Sequence, residues 1–438
     1  MRFLGISAAM LCGAWAARAE GAGFAVSRFA GEHGHPTTEN ATAAYYNPAA
    51  LTLSDGSHLL LDLNVAYRRL TYERIAQPSD APAPPDAPDA NVGRALLSNW
   101  LFGPTLAAST RAGDFAFGAI FCIPFGAPVS FEQREKYADH PRLAGPVDGV
   151  SRWHSIQGVF VTGQFSVAAA YRPKSSGFSL GASLSLMHSI LHDVRARADG
   201  SNDVEQEGRS LIEASGSAPA FGVGVAWEAA RNELWLGISY QSRPNVRGGM
   251  KLTGTVENLI GSESHAKVDV HYDLPDVIRA GARYRPERDL ELRLFGDYTR
   301  WSAFDRQCIV DAGHACTLLA DGSQPPGGAV LQNLRREWHD AVELRAGMSY
   351  FASPSFEFFS GIGADSSAVP DATFEPGLPD FAGASFTLGV RHNLSKELAI
   401  AASYTEFVFA TRHVHGELAA DPLPTRQPDA SGTYQQVV

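Results

Sequence analysis

Leu290-Glu291-Leu292-Arg293-Leu294-Phe295 sets leucine against charge at every second position. Side chains two apart on a strand share a face, so the stretch predicts a β-strand that is apolar on one side and charged on the other. Val342, Leu344, Ala346, Met348 and Tyr350 repeat the pattern against Glu343, Arg345, Gly347 and Ser349. Ile278, Ala280, Ala282 and Tyr284 repeat it against Arg279, Gly281 and Arg283. A helix would bury those arginines at every second turn. Similar runs lie at 59–67, 115–123, 159–171, 178–186, 221–227, 234–240, 386–390 and 398–404, with less regular strands at 103–109 and 355–363.

The joints between these runs alternate in length. Tight turns are predicted at 111–114, 173–177, 229–233, 286–289, 352–355 and 393–397, and they join strands two by two. Long segments near 73–98, 125–153, 197–214, 246–270, 303–337, 365–382 and 413–430 separate the pairs. Short turns at one end and long loops at the other are the pattern of a transmembrane antiparallel β-barrel, here of about fourteen strands. No apolar run after the first twenty residues reaches the roughly 18 that a spanning helix needs, which leaves a barrel as the way to cross a membrane.

At 438 residues, with no break in composition, the chain reads as one large barrel with an N-terminal plug. Arg2, the apolar run 3–15 and Ala17-Arg18-Ala19 form a signal peptide over 1–19. Its removal takes the net charge from −11 to −13 by loss of Arg2 and Arg18. That balance argues against nucleic acid as a partner. Residues 20–53 are the expected plug, or hatch, in which 38–46 can form a short helix that Pro48 stops. Residues 54–438 are the barrel.

Cys308 and Cys316 fall in one expected loop of an exported chain, where they form either a local disulfide or two unpaired thiols. Cys122 reads as a small buried hydrophobe. His33-Gly34-His35 and His413-Val414-His415 lack further ligands at metal spacing, and no nucleophile elbow or phosphate-binding glycine loop occurs. No metal, cofactor or enzymatic activity is expected.

Gly21-Ala22-Gly23-Phe24, followed by Ala41-Thr42-Ala43-Ala44-Tyr45-Tyr46-Asn47-Pro48-Ala49, resembles the FadL family of outer-membrane transporters for long-chain fatty acids and related hydrophobic compounds. Leu274-Pro275-Asp276, Tyr284-Arg285-Pro286, the run from Asp297 to Asp305, Trp338-His339-Asp340 and Val369-Pro370-Asp371 extend the resemblance along the chain. It implies a fourteen-stranded barrel in the bacterial outer membrane, surrounded by its lipid and acting as a monomer. It also implies a hatch marked by Asn47, Pro48 and Ala49. Cargo would be captured passively by extracellular loops, moved to a lumenal site near Phe24 and released by the hatch; the cargo is a long-chain fatty acid or, alternatively, an aromatic hydrocarbon. One departure is that the chain stops at Val438, just after Gly432-Thr433-Tyr434, where the family runs its last strand to a terminal aromatic. About half a strand is therefore expected to be missing, with partial closure by the stub.

Candidate residues follow from both readings. Phe125, Val129 and Phe131 in one long segment, and Leu252, Leu259 and Ile260 in another, line a ligand groove or pack on themselves to order the loops. Pro124, Gly126 and Pro128 interrupt the third strand as a side gate, or begin its loop. Arg279, Arg283, Arg293 and Arg345 share an inward face with Glu291, Asp297 and Glu343, either as carboxylate ligands or as an ion-pair network. A porin would need an open lumen, which a thirty-residue plug opposes; an outer-membrane enzyme would need a paired serine and histidine.

Overall fold

A computed structural model describes residues 30–78, 80–174, 176–198, 203–260, 262–320, 322–415 and 430–438. The expected signal segment and Phe24 lie outside them. The strands are β1 (Ser57–Arg74), β2 (Gly93–Ala112), β3 (Phe115–Ser130), β4 (Gln157–Tyr171), β5 (Phe178–Arg197), β6 (Gly208–Ala230), β7 (Leu234–Gln241), β8 (Met250–Ile260), β9 (Ser262–Tyr272) and β10 (Val277–Glu287). They continue as β11 (Leu290–Thr299), β12 (Arg306–Asp311), β13 (Val330–Arg335), β14 (Ala341–Ser353), β15 (Phe356–Asp365), β16 (Gly383–Asn393), β17 (Ala399–Phe409), β18 (Arg412–Val414) and β19 (Gly432–Val437).

All ladders are antiparallel, and they close into a barrel of fourteen wall strands. The count falls from nineteen because β17 and β18 are two parts of one wall strand along β19, and four further wall strands are each broken in two. β6 pairs with β7 low in the wall and with β8 above it; β7 continues to β10 and β8 to β9. β10 then pairs with β11 and β9 with β12, and the two levels rejoin beyond β13 and β14. The breaks fall at 242–249, 273–276, 300–305 and 336–340. The circuit closes where β19 pairs with Arg69–Arg74 of β1 and with β18, touching β17 at Val408. Below that point, among the described residues, β1 and β17 face each other across a seam without ladder bonds.

Burial is inverted relative to a protein in water. On β5 the exposed side chains include Leu180, Leu184, Leu186 and Ile190, and the buried ones include Ser179, Ser183, Ser185 and Ser189, with Met187 and Leu191 higher on the same inner face. Leu292, Leu294, Val342, Leu344, Met348 and Tyr350 all point outward, while Arg279, Arg283, Arg293 and Arg345 point in. Each exposed leucine would forgo about 1.5–3 kcal/mol in water; against hydrocarbon it forgoes none, and the strands thereby satisfy their own backbone groups.

The structure corrects three of the expected loops. Phe125 and Val129 lie inside β3, with Phe131 just beyond it, because β3 runs on to Ser130. Its prolines are tolerated there since β2 offers no ladder at that height: the β2–β3 pairing ends at Leu106–Phe121 and touches again only at Leu97–Phe131. The segment 246–270 is mostly the β8–β9 hairpin, so Leu252 is a strand residue, as are Leu259 and Ile260, whose side chains lie outside the described set. The segment 303–337 contains β12 and β13, and Cys308 sits in β12, disulfide-bonded to Cys316. The helix expected over 38–46 shrinks to α1 (Ala43–Tyr46), because the Asn40 Oδ1 accepts the Thr42 N–H at 2.9 Å and diverts the upstream backbone.

Candidate functional site

The lumen has two unlike halves. In the half nearer the long connections, the broken wall strands bend inward and carry Leu274, Trp301, Phe304 and Trp338 into the interior, all buried. Trp301 and Trp338 stand 4.9 Å apart, Phe304 lies edge-on to Trp338 at 4.8 Å, and Phe125 meets Trp301 at 5.5 Å. Val129, Phe131, Leu252, Tyr272 and Phe381 belong to the same cluster. Rings in these tilted and edge-to-face pairs add to the stabilisation their buried area already supplies.

The opposite half is occupied by residues 30–53. α1 is followed by the 3-10 turn Pro48–Leu53, and Asn47 is extended (φ −163°) as the residue before a proline should be. Asn47 is fully buried. Its Nδ2 donates to the Pro36 and Val225 carbonyls, both at 2.9 Å, and its Oδ1 accepts from Ala49 N at 3.1 Å. The wall makes room for it with glycine. Gly181 and Gly224 face each other across β5 and β6, and a Cβ on either would overlap Ala49 or the Asn47 amide. A second socket lies between Gly347 and Gly361, paired across β14 and β15, where the buried Glu32 carboxyl sits. Beside it His33 Nε2 is 2.8 Å from Glu357 Oε1, and Ser349 Oγ donates to the same oxygen at 2.5 Å.

The four inward arginines are held among carboxylates. Arg279 stands 3.6 Å from Asp297, donates to Gln241 at 3.2 Å and lies over the Tyr45 ring at 4.4 Å. Arg283 pairs with Glu39 at 2.6 Å and covers Trp235. Arg293 lies 3.7 Å from Glu291 and donates to Ser349 at 2.8 Å. Arg345 pairs with Glu343 and with Asp365 at 3.1 Å.

A cavity of about 1680 Å³ borders both halves and runs down the unpaired seam between β1 and β17 to the turn at 393–397. Its walls include His33 and Tyr45 from the plug, Arg279 and Arg345, Phe125 and Phe381, and the stretch Ile123–Pro128 of β3. That stretch is irregular: Ile123 and Pro124 drop out of the β3–β4 register between Cys122 and Phe125. Gly126 adopts φ 100°, and a Cβ there would run into the Phe160 carbonyl. Between the Leu106–Phe121 pair and the Leu97–Phe131 bridge, β2 and β3 share no ladder bonds, although each still pairs with its other neighbour.

An inside-out barrel filled in part by an N-terminal segment is the geometry shared with known proteins. The profile of outer membrane protein transport proteins (OMPP1/FadL/TodX) covers residues 11–433. The chain belongs to this family. It is therefore an outer-membrane transport barrel. A protein of Neisseria meningitidis serogroup B, itself named for the outer membrane, is 22% identical over 406 residues, covering 86% of this chain and 81% of the relative. The crystal structure of a Pseudomonas aeruginosa FadL homologue superposes with a TM-score of 0.73 at 17% identity, covering 94% of this chain and 97% of that one. The Ralstonia pickettii toluene transporter TbuX superposes at 0.59 with 16% identity and 91% coverage of each.

The family reading of the sequence picks out Asn47–Ala49 as the hatch and quotes the segments holding Trp301, Phe304 and Trp338, but assigns those three no place in the lumen. Trp301, Phe304 and Trp338 fall at the edges of the expected 303–337 segment, where the strand period has stopped at Thr299 and not yet resumed at Ala341, so alternation gives them no inward face. Glu32 carries no signal of its own, although the paired glycines opposite it, Gly347 and Gly361, sit at inward positions of two alternating strands.

Proposed function

We propose that the protein takes up long-chain fatty acids or similar hydrophobic small molecules, passively and as a single barrel embedded in outer-membrane lipid. The reading rests on one observation: the apolar half of the lumen borders a cavity that residues of the hatch, among them His33 and Tyr45, help to line. Phe125, Val129, Phe131 and Leu252 supply part of the apolar surface, and Leu259, Ile260 and Phe24 are assigned to the same route from the sequence. Cargo displaces side chains of the upper half, enters the cavity and leaves sideways through the unpaired stretch of β2 and β3 at Pro124, Gly126 and Pro128. Asn47, Pro48 and Ala49 hold the hatch that closes the remaining path. Arg279, Arg283, Arg293 and Arg345 form the ion-pair network that fastens it.

A second cargo, an aromatic hydrocarbon, is favoured by the ring-rich packing of Trp301, Phe304 and Trp338 and by the similarity to a toluene transporter. The test is uptake of labelled oleate and labelled toluene by cells that lack their own transporter and display this protein at the surface. Oleate uptake above the empty-vector rate is expected. Toluene uptake without oleate uptake moves the assignment to aromatic cargo, and uptake of neither overturns it.

A further inference from the structure

Among the described residues the buried guanidiniums of Arg74, Arg152, Arg279, Arg283, Arg293, Arg336 and Arg345 each lie within 3.7 Å of a carboxylate. Arg68 is the exception. Only 6% exposed, it donates from Nε to Asn99 Oδ1 at 3.2 Å and from Nη2 to the Pro128 carbonyl at 2.6 Å, both neutral acceptors. Those two bonds leave most of its five N–H donors unused, Nη1 altogether. A buried cation without a counter-charge costs several kcal/mol, so proteins place one where something else neutralises it. Asp62, on the same face of β1, is six residues away, about 20 Å at strand rise, and is occupied by the Ala30 N–H and the Asn64 amide.

The position is as telling as the missing partner. Along the inward face of β1, Asp62 and Asn64 lie below Arg68, and the fully buried Leu70 and Tyr72 lie above it. Arg68 thus stands where the polar half of the lumen gives way to the apolar half, on the wall of the cavity, with Phe125, Phe381 and Phe409 on the same wall.

Resting on the fatty-acid reading above, we propose that Arg68 receives the carboxylate of a single-chain anionic amphiphile, whose tail lies against Phe125, Phe381 and Phe409. A guanidinium binds a carboxylate through two parallel N–H···O bonds, each stronger than a bond to a neutral carbonyl. The arriving head group therefore competes with Pro128 for Arg68. Pro128 O, which takes Arg68 and the Asn99 amide (2.9 Å) where β2 supplies no ladder bond, is then released beside the irregular part of β3. Head-group recognition and loosening of the wall are one event.

The purified full chain is titrated with radiolabelled oleate and with oleyl alcohol, which keeps the tail and removes the charge. The unsubstituted protein is expected to prefer oleate by about 10- to 100-fold, the range of a charge-assisted pair. Arg68→Met should abolish that preference and leave oleyl alcohol binding unchanged. Arg68→Lys, which keeps a point charge but loses the fork, should retain part of it. Arg142→Met, at an exposed loop arginine, should retain all of it. Retention of the preference in Arg68→Met overturns the proposal, as does equal weakening of both ligands, which marks Arg68 as a wall fastener only. If Arg68→Met does not fold, as judged by heat-modifiable migration on a gel, an Arg68→Lys protein that binds oleate as tightly as the unsubstituted one overturns the proposal instead. Equal binding of both ligands by the unsubstituted protein removes the Arg68 assignment alone. Binding of neither removes the fatty-acid reading beneath it.

Discussion

The two halves of the lumen share one wall and one exterior, yet they are built on opposite principles. The half beneath the long connections is filled by side chains that the wall strands themselves carry inward, a packed apolar interior made by breaking four strands at one height. The other half keeps its strands intact and is filled by a separate segment, seated on glycines and tied by polar contacts. A barrier made of wall can only be repacked, whereas a barrier made of a docked segment can be undocked. The first suits contact with hydrophobic cargo and the second suits a door.

The largest test of that contrast strikes the packed half. Trp301→Ala removes a fully buried ring that touches Phe125, Phe304 and Trp338 and is expected to cost about 3–5 kcal/mol, read as a lowered urea midpoint of the refolded barrel. A cost near zero would mean that the upper half is held by its ladders and that its aromatics are incidental.

A smaller effect is expected on the docked side. Gly224→Ala puts a methyl group where the Asn47 amide lies and should weaken hatch seating by about 1–3 kcal/mol, leaving the barrel's urea midpoint close to unchanged. The readout is ion conductance in a planar bilayer, which should rise from a closed baseline. If conductance stays closed while the barrel itself is destabilised, the hatch is part of the wall's core and the contrast fails.

The smallest effect lies outside the lumen. In the loop between β1 and β2, burial pushes the Asp89 carboxyl up, but hydrogen bonds from Lys136 and Tyr137 and the Arg134 charge outweigh it, holding the group below its ordinary 3.8. A depressed carboxylate stabilises above its unfolded value and loses that contribution as pH falls through the folded one. The contact between residues 75–92 and 131–156 should therefore be intact at pH 7 and loosen below about pH 4, seen as faster proteolysis of these loops. With Asp89 partly exposed, the change is modest. Loss of hatch closure over the same pH range would show that loops and hatch are coupled rather than independent.

Much of this was legible in the sequence. Period-two alternation placed the wall strands, and it put Arg279, Arg283, Arg293 and Arg345 inward because one face of each strand must meet lipid. What escaped was whatever depends on several strands at once. The four breaks share a height that no single strand records, so nothing in the alternation turns Trp301 and Trp338 into the lumen. The upper part of β3 read as loop because Pro124, Gly126 and Pro128 argue against a ladder, and only the missing β2 bonds make them acceptable. Arg68 stands next to Arg69 in a pair resembling a charged strand end; one points in and the other out, and what distinguishes it is that no carboxylate among the described residues lies within 4.0 Å of it in three dimensions.

The glycine sockets also dictate an order of assembly. Asn47 bonds to Val225, 178 residues away, and His33 meets Glu357, 324 residues away. Each socket exists only once two neighbouring strands have paired, and the two lie in different parts of the wall. Closing such distant contacts is the slow step of a folding chain. A segment that precedes every wall strand in the chain is thus the last to find its place, and until it does, the newly closed barrel stands open.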